Sequence, residues 1–178
     1  MRKKITFKRI WNKIEDTVYL YARSYYNKLR RSKDYDSIRK YVMFVGYPRS
    51  GHSLIGAILD AHPNIILSHE LDVLNLIQHT KSRKLIFSMI IARSEWFARK
   101  GCVWRNYVYK VPNQWQGKYK ELQVIGDKKG GASSKRLGTG SDLLVEINNI
   151  IQNFGKRTHR GATNLLNSKH GGEAINFL

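Results

Sequence analysis

The sequence predicts an α/β protein with a parallel sheet. Strand-like apolar runs alternate with helical patterns, which is the order expected when helices connect parallel strands. At 178 residues the chain has the length of one domain with a substantial core. We divide it into a basic helical segment, an α/β domain and an irregular polar tail, at residues 1–40, 41–154 and 155–178.

The first segment, residues 1–40, carries thirteen Lys or Arg against four acids. Apolar side chains recur at helical spacing from Phe7 to Tyr25 and predict a basic amphipathic helix. We expect its apolar stripe to pack on the rest of the chain, which is the commoner arrangement. Peripheral contact of residues 1–30 with an anionic membrane is the alternative.

The second segment begins with a strand at 41–45, which runs directly into a glycine-containing loop and a helix that ends near Pro63. Gly46 and Gly51, with four residues between them, and then Ser53 nearly reproduce a phosphate-binding P-loop. His52 stands where a nucleotide triphosphatase has Lys, and Arg49 supplies a permanent cation. We predict that an anion is bound by Gly46, Tyr47, Pro48, Arg49, Ser50, Gly51, His52 and Ser53.

This loop resembles the 5′-phosphosulfate loop of sulfotransferases, and the resemblance extends over about residues 41–154. Weaker similarities follow in the family's order, at 60–64, 69–70, 112–117 and 124–130. The resemblance implies a P-loop-type three-layer α/β/α fold. It also implies transfer of a sulfuryl group from 3′-phosphoadenosine-5′-phosphosulfate (PAPS) to a hydroxyl or amine, without a metal. Arg49 would then face the bridging oxygen and the departing phosphate.

Two further strands, at 64–68 and 122–125, end in polar residues. Open α/β sheets bind ligands at the carboxyl ends of their strands. We therefore predict Glu70 as general base, with His69 as the rival, because members of the family use either residue type at this place. Glu70 could instead simply begin the next helix. Lys128 is predicted to approach the sulfuryl oxygens or an acidic acceptor, and a solvated turn lysine is the alternative.

The third segment departs from the family. After a helix predicted at 142–154, sulfotransferases enter another core strand whose end holds the 3′-phosphate. Residues 155–178 are polar and contain glycines, without such an apolar run, as a truncated or frameshifted gene would produce. We therefore expect an unpaired edge beside the first strand, weakened PAPS binding and low activity of this chain.

The acceptor is left open between carbohydrate, small metabolite and peptide tyrosine. We expect residues 75–120 to line its pocket. Trp115 could form the floor of that pocket, and a buried core or lid aromatic is the alternative interpretation. The net charge of +19 favours polyanionic ligands. The single cysteine, Cys102, excludes an internal disulfide and favours a reducing, cytoplasmic location, with membrane-peripheral placement as the alternative.

Two other functions fit parts of the pattern. One is a P-loop kinase or nucleotide triphosphatase, for which Asp127 is the plausible Mg²⁺ ligand. The other is a basic module that binds nucleic acid or an anionic membrane, although the sequence contains no recognisable nucleic-acid motif.

Overall fold

The computed structural model describes residues 7–139, 142–152 and 176–177. Its helices are α1 (Phe7–Arg30), α2 (His52–Asp60), α3 (Val73–His79), α4 (Arg83–Arg99), α5 (Gly131–Thr139) and α6 (Asp142–Gln152), with a 3-10 turn at Ser32–Ser37. Its strands are β1 (Lys40–Met43), β2 (Ile65–His69), β3 (Val103–Trp104), β4 (Tyr107–Val108), β5 (Val124–Lys128) and β6 (Asn176–Phe177).

A parallel sheet with the order β2-β5-β1 forms the centre of the molecule. Tyr41 of β1 and Ile66 of β2 both lie opposite Ile125 of β5, so the three strands are in register across the buried middle of the sheet. Helices α2 and α4 pack against β2 and β5. The α/β class with a parallel sheet, predicted from the alternation of strands and helices, is confirmed.

The strand β6 differs from the sequence prediction. No strand is expected after residue 155, yet β6 pairs in parallel with β1, with Asn176 opposite Val42 and Phe177 opposite Met43. The edge of β1 that was expected to be unpaired is therefore covered at these two positions. The other residues of the predicted tail, and the last two of the helix predicted at 142–154, lie outside the described residues.

The core is built around α4, in which every residue from Ile86 to Ala92 is buried. Phe87 and Ile90 of this helix are buried, as are Tyr35 before the sheet and Ile147 of α6. Tyr35 and Phe87 meet edge to face with ring centroids 5.9 Å apart. Helix α4 contacts the sheet and also α1, so it links the core to the first helix.

The orientation of α1 corrects a sequence prediction. Its apolar stripe was expected to pack inward, but Val18 and Tyr25 are 61% and 63% exposed while Ser24 and Asn27 are buried. The reason lies in α4, which presents a carboxylate and an indole N–H to α1. Polar residues of α1 match these groups, so the polar side of the helix faces inward.

Among the described helices, none combines the length and the apolar character needed to cross a membrane.

Candidate anion-binding site

The predicted loop connects the end of β1 to the first turn of α2, which begins at His52. Gly51 adopts φ 80° and Arg49 φ 70°, so both lie in the left-handed region. Glycine adopts this conformation without cost, whereas a non-glycine residue there is strained. Arg49 thus has a strained backbone, and its cationic side chain lies at the exposed tip of the loop.

The ring of His52 lies between two glycines and packs on Phe44, with ring centroids 5.7 Å apart. A Cβ at Gly46 would lie 2.8 Å from Nε2 of His52, and a Cβ at Gly130 would lie 2.9 Å from Nδ1. Both positions must therefore be glycine if the ring keeps its place. His52 occupies the position where a triphosphatase has Lys, and here its ring packs against the loop glycine Gly46 and against Phe44.

Helix α5 fixes the start of the loop, and the sequence did not point to it. Ser134 Oγ accepts from the Gly46 amide at 2.6 Å and donates to the Gly46 carbonyl at 2.9 Å. A Cβ at Gly131 would lie 3.0 Å from Cγ of Pro48, so glycine allows the loop to approach. A Gly-Gly pair followed by serines at a helix start is the signal in the sequence that could have indicated this contact.

The start of α2 has backbone amides that no described acceptor satisfies. Within the described residues, the amides of Gly51, His52 and Ser53 donate to no acceptor of the protein, and no side chain caps the helix. At a helix N-terminus an anion can accept hydrogen bonds from such amides, and the helix dipole there also favours negative charge.

Lys128 and Glu70 meet at this same turn of α2. The ammonium of Lys128 donates to Ser53 Oγ at 2.9 Å and to Glu70 Oε1 at 2.5 Å, and Lys129 Nζ lies 3.3 Å from Glu70 Oε2. Lys128 is 4% exposed, so it is not a solvated turn lysine. The ends of β2 and β5 and the beginning of α2 thus bring three of the predicted site residues together.

Comparisons of this chain with protein-family models, with curated proteins and with solved structures found no match. The functional assignment therefore depends on the residues and on their geometry.

The turn that carries Glu70 is strained and is held by a buried carboxylate. Glu70 and Asp72 adopt φ 62° and 70°. Asp127 accepts four hydrogen bonds of 2.7–3.2 Å, from Ser68 Oγ and from the amides of Leu71, Asp72 and Val73. Burial raises the pKa of Asp127, and these bonds act in the opposite direction. Asp127 is therefore a structural anchor of the turn.

The four hydrogen bonds to Asp127 limit its use as the predicted Mg²⁺ ligand. A carboxylate offers about four lone-pair positions, and the donors around Asp127 use this capacity. No group of three or more metal-ligating side chains occurs in the part of the chain that the structure describes. Asp127 therefore has little capacity left to bind a Mg²⁺ ion.

His69, the rival base, lies in an aromatic enclosure. Its ring stacks on Phe97 with centroids 4.1 Å apart and meets Trp104 edge to face at 5.0 Å. Burial, followed by the positive charge of Lys128, lowers the pKa of His69 to about 3. The imidazole is therefore neutral at physiological pH and 5% exposed, while Glu70 is the side chain that contacts Lys128.

The predicted acceptor pocket and the loop do not share a cavity. Trp115 lines a cavity of about 860 Å³ between α1, α4 and the segment 110–119, together with Glu95 and Lys110. None of residues 46–53 lines it. Arg49 is exposed, and no hydrogen bond or ion pair joins it to the described residues. Ser53, Glu70 and Lys128 thus lie together, whereas Trp115 lies apart from them.

Proposed function

We propose that this chain is a PAPS-dependent sulfotransferase on a P-loop-type three-layer α/β/α fold. One observation supports this most. Ser53, Lys128 and Glu70 converge at the first turn of α2, beside amides that have no acceptor among the described residues. The arrangement offers an anion both hydrogen-bond donors and a buried cation, and it places a carboxylate next to them.

The position of β1 supports the P-loop part of this fold proposal. This strand lies between β5 and β6 and leads directly into the loop. A central strand followed by a glycine-containing loop and a helix is the arrangement that P-loop proteins use to bind phosphate.

In the proposed reaction, the amides of Gly51, His52 and Ser53 bind the 5′-phosphate of PAPS. Lys128 stabilises the oxygens of the sulfuryl group while it moves, and Arg49 contacts the bridging oxygen and the departing phosphate from the solvent side. Fixed donors of this kind stabilise the charge that develops in a transition state. A buried ammonium is effective because little water competes for it.

The bond changes balance without a further reactant. The acceptor oxygen or nitrogen forms a bond to sulfur while the bond between sulfur and the bridging oxygen breaks. The electron pair of the broken bond stays on the 5′-phosphate, which leaves as 3′-phosphoadenosine-5′-phosphate (PAP). The acceptor proton passes to the carboxylate of Glu70. Release of the carboxylate from Lys128 would free the ammonium for the sulfuryl oxygens.

Calorimetric titration with PAP tests the proposal without knowledge of the acceptor. Arg49→Ala should weaken PAP binding about 10- to 100-fold, the value of one charge-assisted contact. The matched control is Arg105→Ala. Arg105 is also exposed and also left-handed, at φ 55°, so this variant removes the same charge from the same kind of backbone.

Two results would contradict the proposal. If Arg49→Ala and Arg105→Ala weaken PAP binding equally, the attraction is due to the net charge of +19 and not to the loop. Tighter binding of Mg²⁺-ATP than of PAP would favour the kinase or triphosphatase alternative.

A further inference from the structure

The exposed face of α1 is a second surface with recognisable chemistry. Its residues recur every three or four positions, and each is more than half exposed. We call this face the outer stripe; it consists of Trp11, Ile14, Val18, Tyr21, Tyr25 and Leu29.

The opposite face of α1 binds the rest of the molecule through polar contacts. Arg23 forms a two-pronged ion pair with Glu95 of α4, at 2.6 and 2.9 Å. Trp96 Nε1 donates to Asp16 at 2.9 Å. Because these contacts hold the helix in place, the apolar residues of the outer stripe face away from the core.

The first residues of the chain and the last turn of α1 are basic. Between residues 2 and 13 the chain has six cations and no acid: Arg2, Lys3, Lys4, Lys8, Arg9 and Lys13. Lys28 and Arg30 lie in the last turn. Basic residues close to an anionic bilayer surface are attracted to its headgroups.

The size and composition of the outer stripe suit a bilayer surface. From Ile14 to Leu29 it runs along the helix for roughly 22 Å. Tyrosine and tryptophan have apolar rings with polar tips, and they concentrate where lipid headgroups meet acyl chains. A helix with this face and basic flanks lies in the plane of the interface.

We propose that α1 docks this protein on an anionic membrane surface, with the outer stripe inserted among the lipids. Charge decides between this occupant and a second copy of the chain. Two copies would each bring a net charge of +19 to the contact and repel one another, whereas anionic lipids neutralise that charge.

Vesicle flotation with the full chain tests this docking. Val18→Asp is the test variant and Val145→Asp of α6 is its matched control, since both valines are 61% exposed on helices. The wild type should float with vesicles of phosphatidylcholine and phosphatidylserine, and less with phosphatidylcholine alone. Val18→Asp should weaken this binding about tenfold because it removes one inserted aliphatic side chain and adds a negative charge. Val145→Asp should bind as the wild type does.

Several results would overturn the docking. One is equal flotation of the two variants, and another is no preference for the anionic lipid. A dimer in light scattering that Val18→Asp converts to a monomer would assign the outer stripe to a second copy. PAP binding by Val18→Asp should match that of the wild type, so failure of the membrane proposal and failure of the sulfotransferase proposal can be told apart.

Discussion

At the C-terminal end of α2 the buried carboxylate of Asp60 accepts hydrogen bonds from three other segments, whereas at the N-terminal end three amides find no acceptor in the described chain. Asp60 receives the Leu67 amide at 2.7 Å, the Ser94 hydroxyl at 2.8 Å and the Gly117 amide at 3.2 Å. One end of the helix is thus fixed by the protein itself. The other end is left with donors that a ligand can use. Under the proposed function, stability depends on one end of this helix and ligand binding on the other, so we expect mutations to separate the two properties.

The largest expected effect is on stability and comes from the fixed end. Asp60→Ala should lower the free energy of unfolding by about 3 kcal/mol, because it leaves buried donors without their acceptor. Urea denaturation measures this change. Removal of the exposed carboxylate in Glu121→Ala is the control and should shift the value by less than about 0.5 kcal/mol. Equal effects would show that Asp60 is not an anchor.

The next effect is on binding and comes from the open end. Lys128→Met keeps the apolar stem and removes the ammonium, so PAP affinity should fall about 10- to 100-fold. Glu70 retains Lys129 as a partner at 3.3 Å, and the variant should therefore remain folded by circular dichroism. Unchanged affinity for PAP would remove Lys128 from the proposed site.

The contributions of His69 and Asp60 to the free energy of unfolding change in opposite directions with pH. The pKa of His69 is lowered from 6.5 to about 3, so its contribution to stability is present above pH 6.5 and is lost as the pH falls. The pKa of Asp60 is raised from 3.8 to about 7, chiefly by burial, so its contribution is lost as the pH rises through this range. The two effects oppose each other between about pH 4 and 6.5.

His69→Phe keeps an aromatic ring in the enclosure and removes the contribution of His69 to the pH dependence of stability. Relative to the wild type, the variant should gain stability on acidification from about pH 6 to 4.5, by about 1.4 kcal/mol per pH unit. Urea denaturation at several pH values measures the difference in slope. Parallel curves for the two proteins would mean that the buried imidazole is protonated as readily as an exposed one.

The smallest effect concerns the start of the loop. Ser134→Ala removes both hydrogen bonds to Gly46 and should weaken PAP binding a few-fold, since a neutral hydrogen bond contributes about 1 kcal/mol. Ser134→Thr keeps the hydroxyl and should restore the affinity in the same calorimetric assay. If threonine fails to restore it, the serine acts through packing and not through the hydrogen bonds.

The strands, the loop and α2 could be predicted because their signals are local. An apolar run, two glycines and a following helical period lie within about twenty residues, and the structure has β1 and α2 within a few residues of the predicted bounds. The rule that open α/β sheets bind ligands at the carboxyl ends of their strands placed Glu70 and Lys128 each at the end of its strand. Their direct contact was not predicted.

The remaining features depend on contacts between distant segments. Periodicity shows that α1 has an apolar face, but the direction of that face is decided by Glu95 and Trp96, more than sixty residues away. The hold of Asp127 on the Glu70 turn and the contact of Ser134 with Gly46 are likewise tertiary. The sequence offered Trp115 as a possible floor of the acceptor pocket, and its place in a separate cavity beside α1 is a result of packing that no local pattern reports.

Amide hydrogen exchange with and without PAP compares the two ends of α2 in one experiment. We expect PAP to slow exchange at Gly51, His52 and Ser53, whose amides would then donate to the ligand, and to leave the amides of Leu67 and Gly117 at the Asp60 end unchanged. Protection confined to the cavity segment 110–119, with no change at the loop, would contradict this expectation.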